Sequence, residues 1–80
     1  MRDVNVYLPS AMAVQEFVEG LSSLDGDFDL ISGKYILDAR SLMGIFSLDL
    51  TKPLCLRVYK DTEEAMEHIK KFLPEEEAGK

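Results

Sequence analysis

The stretch Arg40-Ser41-Leu42-Met43-Gly44-Ile45-Phe46-Ser47-Leu48 sits mid-chain and puts a serine directly ahead of five large apolar residues. It is too short for a long helix and too irregular for the alternation of a half-buried strand, so it reads as a short helix begun at Ser41. A helix of so few turns cannot turn every large side chain inward. Ile45 and Leu48 are expected to face a core, and Leu42, Met43 and Phe46 to leave apolar surface outside, where such patches often mark docking sites.

The elements on either side decide what this helix packs on. Upstream, Val4-Asn5-Val6-Tyr7-Leu8 alternates as a strand and Pro9-Ser10 stops it, with Ser10 as N-cap of the next element. Val14, Phe17, Val18 and Leu21 then recur at helical spacing, as far as Ser22-Ser23. Asp27 to Ile31 and Lys34 to Asp38 read as two strands around a Ser32-Gly33 turn. Downstream, Leu54 to Tyr59 forms a fourth strand. Asp61-Thr62-Glu63-Glu64 resembles a capping box that opens a helix through Ala65, Met66, Ile69, Phe72 and Leu73, and Pro74 closes it. In so short a chain, strand, helix, two strands, short helix, strand and helix imply helices stacked on one face of an antiparallel sheet, a two-layer α+β sandwich. Residues 1–74 are expected to form this domain, and residues 75–80 a charged, flexible tail.

Composition narrows the function. Eighty residues make one domain, which buries only roughly 60% of the unfolded surface. The formal charge of -6 disfavours phosphate backbones, so no nucleic-acid partner is expected. No apolar run is long enough to span a bilayer, no charged leader opens the sequence, and the single Cys55 cannot pair internally; a cytoplasmic location is expected. No cofactor or metal is expected either. His68 reads as a solvated histidine on a charged helical face, at most weakly paired with Glu64, because a lone imidazole lacks further ligands. Cys55 reads as a small buried hydrophobe. Asp25, Asp27 and Asp29 alternate as in calcium loops but lack the accompanying glycine and glutamate, and read as a solvated face. With no nucleophile, acid-base pair or phosphate loop, the chain does not read as an enzyme.

The element order, together with Ala39 to Leu48, resembles the HPr family, the histidine-containing phosphocarriers of the bacterial sugar phosphotransferase system. The family pattern of basic residue, serine, two apolar residues, glycine, two apolar residues, serine and leucine is met from Arg40 to Leu48. Asp61 to Met66 is similar to the start of the family's last helix, and the likeness runs from Val4 to Leu73. It implies a βαββαβα open-faced sandwich, its antiparallel sheet in order 1-4-2-3 with three helices on one face. The family's phosphoryl-carrying histidine and its partner arginine open the first helix. Aligned without gaps from Ser41, those positions hold Ser10 and Met12, so no catalytic residue is expected there.

The resemblance therefore implies a protein without the phosphohistidine site that acts as a binding or regulatory module. Met12, Ser41, Leu42, Met43 and Phe46 form its partner-binding face, and Ser41 is a candidate for regulatory phosphorylation. Expected partners are proteins, either phosphotransferase-system components or a regulator of carbon catabolite control, and the chain is expected to be a monomer or weak dimer. The alternatives are a working phosphocarrier that uses another residue, Ser10 foremost, and a serine-phosphorylated co-regulator. The apolar patch is equally well read as inherited family sequence or a homodimer contact.

Overall fold

The computed structural model describes residues 1–74. The expected tail, 75–80, lies outside the described residues. Chain order is β1 (Arg2–Val6), α1 (Ala11–Ser22), β2 (Phe28–Ser32), β3 (Tyr35–Asp38), α2 (Leu42–Phe46), β4 (Leu54–Val58) and α3 (Glu63–Ile69), which tightens into a 3-10 turn over Lys70–Phe72. The sheet is antiparallel in order β1-β4-β2-β3, with three helices layered on one face. This is the α+β sandwich expected from the element pattern.

Period-two alternation explains the layering. Along the central strand β4, Leu54, Leu56 and Val58 are buried while Cys55 and Arg57 point to the other face. Val6 and Leu30 join the buried side, and Val14, Phe17, Leu21, Ile45, Ala65 and Ile69 descend onto it from the helices. Among the described residues the opposite face carries no helix, and it shows two rows across the strands, Asp3–Arg57–Asp29–Asp38 and Asn5–Cys55–Ile31–Ile36. Cys55 is therefore half-buried on the bare face and not a core residue as expected. Partial burial, with Asp3 nearby, pushes its thiol upward and keeps it protonated.

Element ends shift by a residue or so from the sequence reading, α3 gives way to its 3-10 turn after Ile69, and three differences have a clear physical cause. β1 runs over Arg2–Val6 and not Val4 to Leu8, because the residue of β4 due opposite Tyr7 is Pro53, which has no N–H to donate. The Tyr7 N–H donates instead to the Phe72 carbonyl at 2.7 Å, and Leu8 enters the core. The β2–β3 turn centres on Gly33-Lys34, one residue beyond Ser32-Gly33, since Ser32 pairs with Tyr35. Gly33 has φ 59, the positive angle suited to the first central position of a type II′ hairpin turn. At α3 the cap is Thr62, whose hydroxyl accepts from the Ala65 N–H at 3.1 Å. With alanine at that position no reciprocal box forms, and Asp61 pairs with Arg2 at 3.0 Å.

On the bare face Arg57 donates to both Asp3 carboxylate oxygens, at 2.9 and 3.1 Å. These hydrogen bonds, ahead of the guanidinium's charge, hold the Asp3 carboxyl below its ordinary value of 3.8. A carboxyl depressed in the folded state adds stability above its unfolded value and loses it as pH falls through the folded one. The stability difference between wild type and Asp3→Asn should therefore be present at neutral pH and shrink to nothing below 3.8, as measured by urea titration across that range. The pair is solvent-exposed, so the effect is small.

Candidate functional site

The expected site spans the start of α1 and the whole of α2, two helices that pack against each other. At α1, Ser10 is extended (φ -143, ψ 162), and its hydroxyl accepts from the Ala13 N–H at 3.1 Å. Its carbonyl takes the Val14 N–H at 3.1 Å. Ser10 is thus a working N-cap at an exposed helix start. Met12, in the first turn of α1, is 68% exposed.

Ser41 occupies the N-cap position of α2 but does not cap it. Its hydroxyl makes no bond to the helix N–H groups, and its backbone shows why. Ser10 and Thr62 have ψ of 162 and 158, whereas Ser41 has φ -86 and ψ 89, outside the extended range in which the other two serve as caps. The Oγ lies over Gly44, 2.9 Å from where a Cβ there would sit. The helix start is held by backbone alone, with the Ser41 N–H on the Asp38 carbonyl at 2.9 Å and the Ile45 N–H on the Ser41 carbonyl at 3.0 Å. Ser10→Ala and Thr62→Ala should each cost about 1 kcal/mol, while Ser41→Ala should leave the urea midpoint unchanged.

The short helix sorts its apolar residues as their spacing implies, with one refinement. Ile45 is fully buried, Leu48 packs on the core's edge, and Met43 and Phe46 stand out at 80% and 40% exposure. Leu42 is half-buried against the core, so it contributes less to the outer surface than expected. Ser41, Met43 and Phe46 therefore share one exposed helix, and Met12 stands on its neighbour.

Two further residues do more than the sequence reading allowed. Arg40 donates from Nε to the Leu21 carbonyl at 3.1 Å and from Nη2 to the Leu24 carbonyl at 2.8 Å, and its guanidinium lies 5.0 Å from the centre of the Phe28 ring. It closes the end of α1, whose last turn carries no basic residue of its own, and it ties that end to the start of α2. The missing donor at α1 was the only signal for this role.

His68 is the second, and here the expectation of a solvated, Glu64-paired histidine is corrected. Its ring lies in the α1–α3 groove with Nε2 3.0 Å from the Phe17 carbonyl oxygen, so Nε2–H donates. It stacks on Phe17 at 6.3 Å and meets Phe72 edge-on at 5.2 Å. The groove exists because residue 20 is glycine; a methyl there would fall within the imidazole. Among the described residues no three histidine, cysteine or carboxylate groups gather as a metal site.

With this geometry in hand, comparison with known proteins identifies the architecture. The fold is that of HPr. The chain is similar to the crystal structure of HPr-C-His from Thermoanaerobacter tengcongensis, with a TM-score of 0.71 and 23% identity over 86% of each chain. No family model and no curated protein matches it. The structural likeness is one of fold, and it agrees with the 1-4-2-3 sheet expected from the resemblance. No helix among the described residues is long and apolar enough to cross a membrane.

Proposed function

We propose that this chain is an HPr-fold module without the phosphohistidine, working by protein contact and not by phosphoryl transfer. The observation that carries this reading is the occupancy of the α1 start. The residue there is Ser10, its hydroxyl engaged with the Ala13 N–H, and the chain's one histidine is in the α1–α3 groove, bonded to a helix carbonyl. A serine ester transfers its phosphoryl group poorly, and an imidazole wedged between Phe17, Phe72 and Gly20 is badly presented to a donor enzyme. The exposed Met12, Met43 and Phe46 supply a docking face, since methionine and phenylalanine adapt to varied partners. The partners that suit this face are phosphotransferase-system proteins or a regulator of carbon use in a bacterial cytoplasm.

Incubation with phosphoenolpyruvate and enzyme I should leave the protein unlabelled. Acid-labile phosphate would overturn the proposal, and label removed by Ser10→Ala would identify a carrier that uses that serine. A second reading, a serine-phosphorylated co-regulator, is favoured by one observation: the Ser41 hydroxyl is exposed and makes no capping bond, so a kinase could modify it without unseating the helix. It requires stoichiometric modification of Ser41 by an HPr kinase, and Ser41→Ala should abolish it.

A further inference from the structure

We propose that a second copy of this chain pairs with it along the open edge of β3, with Ile36 on the twofold axis. Among the described residues β3 is an edge strand, bonded to β2 alone. Tyr35 pairs with Ser32, Leu37 with Leu30, and the Ala39 N–H donates to the Phe28 carbonyl at 2.9 Å. Residues 35, 37 and 39 therefore turn their backbone groups toward β2, and the alternation of an antiparallel ladder turns those of Ile36 and Asp38 outward. The Asp38 carbonyl already takes the Ser41 N–H at 2.9 Å, so the groups that an added strand would use are the N–H and carbonyl of Ile36 and the N–H of Asp38, and such outward groups on an edge are a template for another strand.

The side chains specify which strand. Lys34-Tyr35-Ile36-Leu37-Asp38 is complementary to itself when run antiparallel about Ile36. Lys34 then faces Asp38 of the second copy, Tyr35 faces its Leu37, and Ile36 faces its Ile36, with both opposite-charge pairs on one face. Among the described residues Lys34 makes no ion pair, and the Asp38 carboxylate uses only Oδ1, on the Arg40 N–H at 2.8 Å. Tyr35 and Ile36 are 69% and 64% exposed, a large apolar surface for an uncovered edge. On the helix side a shallow cavity of about 300 Å³, lined by Tyr35, Leu37, Ser47 and Leu48, lies where the Tyr35 ring of the second copy would arrive. The other edge lacks this symmetry: β1 paired with itself about Val4 would set Asp3 against Asn5 and Arg2 against Val6.

So short a ladder predicts a reversible, concentration-dependent dimer, to be read by sedimentation equilibrium. Ile36→Lys places two ammonium groups opposite each other at an exposed position, and should weaken association at least about tenfold while the melting curve of the dilute monomer stays unchanged. In a Cys55→Ala background, Ile36→Cys should form a disulfide-linked dimer on mild oxidation, because residues facing each other in a hydrogen-bonded antiparallel pair lie about 5.5 Å apart at Cα. Tyr35→Cys, facing Leu37 and not itself, should not. A protein that stays monomeric up to about 1 mM, equal crosslinking of the two cysteine variants, or a dimer lost in Met43→Asp but kept in Ile36→Lys would each overturn the proposal.

Discussion

Arg40→Ala should lower the unfolding free energy by about 2–3 kcal/mol, more than any other single surface substitution near α2. Two charge-assisted hydrogen bonds are lost, to the Leu21 carbonyl in the last turn of α1 and to the Leu24 carbonyl just beyond it, together with the guanidinium's place over Phe28. The cost stays below the sum of the separate contacts because water reaches the end of α1 once the side chain is gone. Arg40→Lys should recover less than half of it, since one ammonium cannot reproduce a planar fork on two carbonyls. A lower urea midpoint with an unchanged slope would show that the loss lies in the folded state. An Arg40→Ala protein as stable as wild type would mean that water caps α1 equally well.

The second large effect is a change of sign. Gly20→Ala should destabilise the protein by about 1–2 kcal/mol, although alanine is the better helix former. A methyl at residue 20 evicts the His68 ring, and with it go the hydrogen bond to the Phe17 carbonyl and the contacts with Phe17 and Phe72. In a His68→Ala background the same substitution meets no ring. There it should stabilise by up to about 1 kcal/mol, the helix-propensity difference alone. A Gly20→Ala effect of the same size in both backgrounds would show that His68 and Gly20 are not energetically coupled.

These residues also mark where the sequence was readable and where it was not. Strand alternation around Leu54, Leu56 and Val58 and helical spacing at Val14, Phe17 and Leu21 are local signals, and the elements formed where those signals lay. The short α2 and its exposed Met43 and Phe46 were legible for the same reason: a five-residue helix has too little inner face for four large apolar side chains. Arg40 and His68 were not legible in their roles, because each acts on carbonyls 19, 16 or 51 residues away, and no local pattern encodes such a distance. Ser41 failed differently. Its residue type is that of a cap, but capping depends on ψ, and the Asp38-to-Ser41 turn sets that angle. The β1 boundary hinged on Pro53, legible only once strand register was known.

β4 is the last strand in the chain and yet lies between β1 and β2, which fixes the order in which the sheet can be assembled. The β2–β3 hairpin closes over two residues and can form at once, but a lone hairpin is marginal in water. Its pairing with β4 spans 24 to 30 residues, from Ile31 with Cys55 to Phe28 with Val58, and that of Arg2 with Val58 spans 56. On a ribosome, then, β1 emerges first and waits longest, with no strand to join until residue 58 is free. The chain's slow step is the arrival of its centre, and its first-made strand is the last to find a place.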